Sequence, residues 1–436
     1  MRILDWKSLA PEARRNALSR PAQQRADEIT LQVRGIIDDV RRGGDESVQA
    51  YTTQFGGTRP LTLEVTEAEF DAAERALSAG QKAAIDTAIG TVGAFHRAQG
   101  SQTLRVETAP GVVCERIVRP IRAVGLYVPA GSAPLPSTAI MLAVPAAIAG
   151  CRDRILCTPP DGAGLANSAV LAAARRAGVR RVFKAGGAQA IAAMAYGTSS
   201  IPKCDKIFGP GNAWVTAAKL LVAGDPHGAA FDLPAGVSEV MVIADELASA
   251  EFVAADLLAQ AEHGADAQSL LVTDSPRLAR EVGAQIASQV RHLSRREILA
   301  ESVANIRLIV TGTLAEAFDI ANQYAAEHLI LQIENPRPWL DRVDHAGAVF
   351  LGRWSPESVG DYCAGPNHTL PTYGYARAYS GLSVEDFQKR LTVQELNQSG
   401  LRALGPTAEV LAGMEGLDAH AAAVTRRLKA MGPSPE

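Results

Sequence analysis

From Ala123 onward the chain alternates short β-branched runs with alanine-rich segments of helical period, and no other feature constrains its fold as tightly. The runs are VGLYVP, RILCTPP, RRVFKAGG and KIFGPG, then EVMVIAD, SLLVTD, NIRLIVTG, LILQIE and AVFLG. This is the pattern of βα units building a mostly parallel sheet. The runs fall on either side of FDLPAGVSE (231–239), so two α/β modules are expected. Before them, ITLQVRGIIDDVRRGG places Ile29, Val33, Ile36, Ile37 and Val40 on one helical stripe that Gly43-Gly44 ends. These early helices are expected to join the second module. After Phe350 the chain reads as an ordered Gly/Pro/Tyr-rich loop, SVEDFQKRLTVQELNQSGLRALG as a polar helix, and the last stretch as a helical tail with a frayed MGPSPE end.

Composition removes several classes of function. With 43 basic and 47 acidic residues the chain offers no field for nucleic acid or an anionic membrane. The uncharged stretch from Ala123 to Cys151 is long enough for a membrane span, but Pro129, Pro134, Pro136 and Pro145 break it into strand, loop and short helix. Five scattered cysteines without a CxxC pair fit neither a disulfide framework nor a thiolate zinc site. Together with an N-terminus lacking the apolar core of a secretory signal, they point to a reducing, cytoplasmic setting.

Four segments carry chemistry. SAEFVAADLLAQAEHG reads as a helix capped by Ser249, on which Asp256, Gln260 and His263 share a narrow wedge opposite Leu257, Leu258 and Ala261. The i, i+3 spacing aims a Gln260 amide oxygen and a His263 ring nitrogen at one point, as two metal ligands, two substrate contacts or simply a solvated stripe. In AAEHLILQ, Glu327 and His328 stand where a helical pattern meets a buried strand, a place where α/β folds bind ligands. The loop SPESVGDYCAGPNHTLPTYGY holds Glu357, Asp361, Cys363 and His368, and is either an ordinary surface connection or one in which Asp361 offers a hard oxygen ligand and His368 a nitrogen one. EGLDAH places Glu415 and His420 in the tail. Gly-rich turns recur, yet FGPGNAW has Trp214 where a dinucleotide fingerprint would have its last glycine. The backbone amides of such turns still suit phosphates.

Eight collinear motifs, GLYVPAGSAPLPST, AGGAQAIAAMAYGT, DKIFGPGNAWV, DLPAGVSEV, LLAQAEHGADAQ, AAEHLIL, SPESVGDYCAGPNHTLPTYGYA and EGLDAHAAAV, resemble the histidinol dehydrogenase family over nearly the whole chain. Val237 stands where many relatives have proline. The resemblance implies two incomplete Rossmann-like parallel-sheet modules with an N-terminal helical arm and a small helical tail. The implied divisions are an arm at 1–25, a module of 26–122 with 236–380 carrying metal and catalytic residues, an NAD-binding module at 123–235, and a tail at 381–436. It implies oxidation of L-histidinol through L-histidinal to L-histidine, the last steps of histidine biosynthesis, with two NAD and one zinc, by a homodimer that exchanges tails. The zinc ligands implied are Gln260, His263, Asp361 and, from the partner subunit, His420. Ser238 and Glu415 become substrate contacts beside the ligands and His328, the NAD contacts are Tyr127, Gln189 and Asn212, and the catalytic pair is Glu327 and His328.

Oxidising a primary alcohol to an acid takes two hydride transfers, at least two proton removals and one water addition, so one base is reused. His328, with an ordinary pKa near 6.5, suits the proton removals, and Glu327 suits activation of the water. A nitrogen and oxygen ligand set favours an orienting role for the metal and also admits manganese or cobalt. Cys363 is a rival nucleophile through a thiohemiacetal. Other readings are a zinc and NAD dehydrogenase of another small alcohol such as sulfopropanediol, a metal hydrolase, and an inactive scaffold.

Overall fold

Buried parallel sheets need side chains that pack on both faces, and the β-branched runs supply them. The computed structural model describes residues 2–20, 26–100, 103–130 and 133–432. Residues 21–25 of the expected arm, Gly131 and Ser132 of the first glycine-rich turn, and 433–436 of the MGPSPE end lie outside the described residues. In chain order the strands are β1 (Arg2–Asp5), β2 (Leu104–Ala109), β3 (Val112–Pro120), β4 (Ala123–Tyr127), β5 (Asp153–Thr158), β6 (Arg181–Lys184) and β7 (Lys206–Phe208). They continue as β8 (Ala230–Phe231), β9 (Glu239–Ala244), β10 (Gln268–Thr273), β11 (Arg307–Val310), β12 (His328–Gln332), β13 (Ala348–Leu351) and β14 (Gln388–Leu396).

The fold is mixed α/β with two parallel sheets, ordered β6-β5-β4-β7-β8 and β1-β11-β10-β9-β12-β13, and a small antiparallel one, β14-β3-β2. The chain divides into two compact units, Met1–Gln99 with Ile121–Phe387, and Gly100–Pro120 with Gln388–Glu436. Both parallel sheets lie in the first. Along β9, Val240, Val242 and Ala244 pack with the helix Ala250–Ala261, while Met241 and Ile243 pack with the helix Leu314–Tyr324. Successive side chains of one strand thus serve opposite layers.

The helix stripe is buried as expected: Val33, Ile36, Ile37 and Val40 sit in a core with Ile191 and Val215, and Gly44, at φ +57°, interrupts the helix Ala26–Gln54. Its partner differs from expectation. The helices Ala26–Gln54, Glu67–Ala76 and Ala79–Arg97 pack on the helices of the five-stranded sheet, not on the six-stranded one. The helices Gly187–Tyr196 and Ala213–Ala223 are apolar on more than the side facing their own sheet, so their outer sides demand a second covering layer.

Three further segments differ from the sequence reading. The arm begins with β1, which extends the six-stranded sheet beside β11, and Leu4 and Trp6 enter that sheet's core before the helix Pro11–Ala17. In the tail, residues 388–396 form β14 rather than helix, because Leu391 and Val393 alternate with polar residues at a period of two and pair along β3. The loop after β13 opens with a short helix, Glu357–Tyr362. In the second unit the helices Gln398–Met414 and Asp418–Ala430 pack on each other, with Gly405 letting Val424 and Leu428 approach.

Candidate active site

A cleft of about 1310 Å³ runs through the first unit. One wall is made by the carboxyl ends of β4 and β7 and the first residues of three helices that begin at Pro136, Gly187 and Ala213. The other is made by the amino ends of β9 and β12 and the residues just past the helix Ala250–Ala261. Helix N-termini concentrate positive potential and a helix C-terminus negative potential, so one wall favours phosphates and the other a cation.

Tyr127, Gln189, Asn212, Ser238, His263, Glu327, His328 and Asp361 all line this cleft. Gln260 is fully buried beside it in sequence, and Glu415 and His420 belong to the second unit. On the first wall the Tyr127 hydroxyl accepts the Gly187 N–H at 3.0 Å, and burial pushes its pKa up to about 12, so it stays a neutral phenol. The Asn212 Oδ1 accepts from Trp214 and Val215 N–H, capping its helix and leaving only the amide NH₂ for a ligand. Gln189 is buried, and its Oε1 has no partner among the described residues. Gly209 (φ +125°) is required where its Cβ would lie 2.2 Å from the Tyr127 carbonyl oxygen.

On the second wall His328 is the hub. Its Nδ1 lies 3.2 Å from the Glu239 carbonyl oxygen, 3.5 Å from Glu327 Oε2 and 3.6 Å from Glu357 Oε1. Its Nε2 is 3.3 Å from Asp361 Oδ1 but has no aligned hydrogen bond. The carbonyl can only accept, so Nδ1 carries the proton and a neutral ring keeps its lone pair on Nε2. Burial acts to lower the His328 pKa, yet the Glu357 and Glu327 carboxylates and Asp361 together hold it well above its ordinary value. Burial drives Glu327 well above its usual carboxylate range and Glu357 to about 8. Burial opposes ionisation of Asp361 too, but the His328 contact wins and keeps it below its ordinary value.

Glu327 Oε2 also accepts the Glu239 N–H at 2.8 Å, so both polar backbone atoms of Glu239 orient the pair. The Glu239 carboxylate is held by Arg20 and by the Tyr373 N–H at 2.9 Å. His368, a possible nitrogen ligand from the sequence, instead turns Nδ1 to the Asp361 carbonyl and Nε2 to the Thr138 hydroxyl, so both ring nitrogens are engaged. Neither Arg20 nor Glu239 was visible from local pattern. Glu357 and Asp361 were legible as i, i+4 neighbours only once the loop was known to be helical.

His263, Glu357 and Asp361 each offer a donor atom within 4.8 Å of the others. Gln260, three residues before His263, has a carboxamide whose two polar atoms are buried without partners among the described residues. Unpaired buried amides are costly unless a ligand satisfies them, and this nitrogen and oxygen donor set fits a divalent cation such as zinc.

Behind the cleft, Asp256 accepts the Gln332 amide N–H at 2.7 Å, and burial pushes its pKa up to about 6. Its folded pKa lies above the unfolded one, so the carboxylate costs nothing below about pH 4, and its cost grows to about pH 6 and is full above it. Asp256→Asn keeps an acceptor and adds an NH₂ that can reach the unpartnered Gln332 Oε1. Denaturant unfolding should show the variant more stable by about 3 kcal/mol at pH 7 and equal to the parent near pH 3.5; a gain independent of pH would mean the charge is not the cause.

No helix among the described residues is long and apolar enough to cross a membrane. The histidinol dehydrogenase family model matches residues 18–428. The chain is 56% identical to a histidinol dehydrogenase from Xanthomonas oryzae pv. oryzae over 428 residues, covering 98% of this chain and 99% of that one. It is 51% identical to one from Vibrio cholerae serotype O1, again over 98% and 99%. The crystal structure of histidinol dehydrogenase from Elizabethkingia anophelis superposes with a TM-score of 0.92 at 42% identity, covering 99% of this chain and 98% of that chain. With the fold, the cleft and these likenesses in agreement, the chain is an oxidoreductase that belongs to the histidinol dehydrogenase family.

Proposed function

We propose that the chain oxidises L-histidinol through L-histidinal to L-histidine, consuming two NAD and holding one zinc. The observation that carries this reading is the buried His328, which lines the cleft and whose Nε2 has no aligned partner among the described residues, with Glu327 beside it. Gln260, His263 and Asp361 would hold the zinc with His420 of the partner subunit, and Tyr127, Gln189 and Asn212 would contact NAD. When bound, NAD supplies the hydride acceptor and zinc a charge that orients the substrate's imidazole and amine.

His328, once neutral, takes the alcohol proton on Nε2 as the carbon is oxidised to the aldehyde, its raised pKa making it the stronger base. Its Nδ1–H stays on the Glu239 carbonyl, which keeps the ring from turning. That proton must leave before the second half. Glu327 then draws a proton from water as it adds to the aldehyde. Burial raises the Glu327 pKa, the direction that makes a carboxylate a stronger base. His328 finally takes the diol proton during the second oxidation. Ser238 and the partner subunit's Glu415 complete the substrate pocket in the proposed homodimer, whose expected setting is the cytoplasm.

Absorbance at 340 nm tests the reading: two NADH per L-histidinol are expected, with the signal lost on chelation and no turnover of sulfopropanediol. One NADH per substrate would remove the second oxidation, and turnover of sulfopropanediol alone would replace the substrate. Cys363 packs partly buried against the apolar core and is not among the described residues lining the cleft, so Cys363→Ser should keep both oxidations at parental rates. Loss of the second oxidation alone in that variant would instead favour a thiohemiacetal.

A further inference from the structure

We propose that Asp161 reads the adenosine-ribose hydroxyls of the dinucleotide and excludes a 2′-phosphate, making the chain selective for NAD over NADP; this rests on the NAD-dependent reading above and extends it to cofactor choice. The five-stranded sheet has the order β6-β5-β4-β7-β8, so the first strand of the module, β4, has the second, β5, on one side and the fourth, β7, on the other. Successive strands are added to one side of β4 up to β6 and to the other side from β7, and ligands of such parallel sheets bind outside the carboxyl ends of the strands at that switch. A dinucleotide whose diphosphate sits at the turn after β4 lays its adenosine ribose over the end of the second strand.

Register puts Asp161 there. Tyr127 at the end of β4 is level with Cys157 on β5, and the Val128 N–H continues the ladder to the Cys157 carbonyl at 2.9 Å. Asp161 follows three residues after β5 ends and lines the cleft with Pro159, Pro160 and Gly187. The cleft therefore presents a carboxylate where a ribose is expected.

The carboxylate is built into place rather than hanging free. Its Oδ1 accepts the N–H groups of Ala163 and Leu165 at 2.8 and 3.0 Å. The Asp161 N–H reaches the Leu165 carbonyl at 2.8 Å, the Gly164 N–H returns to the Asp161 carbonyl at 3.0 Å, and the Thr58 hydroxyl ties down the Gly162 carbonyl. Among the described residues Oδ2 accepts no hydrogen bond, so one oxygen remains for a hydroxyl donor. A second observation points to a ligand in the adjoining turn, where the buried Gln189 Oε1 lacks a partner and Pro159 touches the position of a Gly186 Cβ.

The cations nearest it are paired. Arg295, the one lysine or arginine among the described residues lining the cleft, stands near His263 on the other wall. Lys184, at the end of the neighbouring β6, is buried against Glu69 at 2.7 Å. Arg59, whose backbone packs near Gly164, pairs with Glu46 at 2.9 Å. A 2′-phosphate would meet a fixed negative charge, with Lys184 and Arg59 already paired, whereas a 2′-hydroxyl would donate to it.

Calorimetric titration with NAD, NADP, AMP and 2′,5′-ADP tests this without turnover. The parent should bind NAD at least about 100-fold more tightly than NADP, and AMP more tightly than 2′,5′-ADP. Asp161→Asn keeps the Oδ1 acceptor that closes the loop, and should weaken NAD about 10-fold while strengthening NADP by a similar factor. An unchanged NAD-to-NADP ratio in Asp161→Asn, with NAD still bound and histidinol still oxidised by the parent, overturns the role of Asp161 alone. A parent that binds neither dinucleotide and forms no NADH overturns the dehydrogenase reading together with it.

Discussion

Replacing His328 by asparagine should lower turnover of L-histidinol by about 10²- to 10⁴-fold, the usual yield of a positioned acid-base group. The asparagine amide N–H can still reach the Glu239 carbonyl that His328 Nδ1 now faces at 3.2 Å, so the local fold has its donor. What disappears is Nε2, the atom with no aligned partner in the cleft. The KM for histidinol and the metal content should therefore stay close to those of the parent while kcat collapses. A fall of less than about tenfold would move the base elsewhere. Glu327→Gln should separate the half-reactions, because its carboxamide oxygen still accepts the Glu239 N–H but no longer takes a proton from water. Rapid mixing should then show the first NADH of each turnover formed and the second suppressed. Equal loss of both would show that Glu327 acts only by holding His328.

The second large effect is expected at the donor cluster. His263→Ala removes a ring nitrogen from the group it forms with Glu357 and Asp361, and Gln260→Leu removes the orphaned buried amide. If these atoms hold zinc, elemental analysis should find His263→Ala nearly metal-free, with turnover falling in proportion. Gln260→Leu should bind zinc about 10- to 100-fold more weakly, a loss of the size seen when support of a metal site is removed. It should also unfold no more easily than the parent when both are stripped of metal, because leucine fills the space without leaving polar atoms unpaired. A full complement of metal in His263→Ala would sink the ligand assignment.

The candidate site was legible to different depths. The second-wall residues Glu327 and His328 stand out because a polar pair at the mouth of a fully buried strand is unusual, and β12 begins at His328 with every residue buried. Gln260 and His263 were legible from helical spacing as a pair, but that spacing does not separate a metal ligand from a solvated stripe. Only packing shows that Gln260 has no water to turn to. The roles of Glu239 and Arg20 were not legible, since they act through a contact between residues 219 positions apart. Asn212 shows the converse: its spacing from Trp214 and Val215 suffices to make it a helix cap, and this limits what its side chain offers a ligand.

For the fold, the period of apolar residues determined which segments are strands and which face of each early helix is buried. Those are local consequences of side-chain direction, complete within ten or so residues. Tertiary structure decided what each apolar face meets. The stripe of Val33, Ile36, Ile37 and Val40 is equally satisfied by either module as far as its own residues go, and the five-stranded sheet takes it because the helices there keep apolar outer sides. The same holds for β1 and β14, whose short alternations pair only when an open edge of a sheet is brought to them. Burial of apolar surface is non-directional, so the sequence by itself states that a face must be covered, and the assembled chain settles by what.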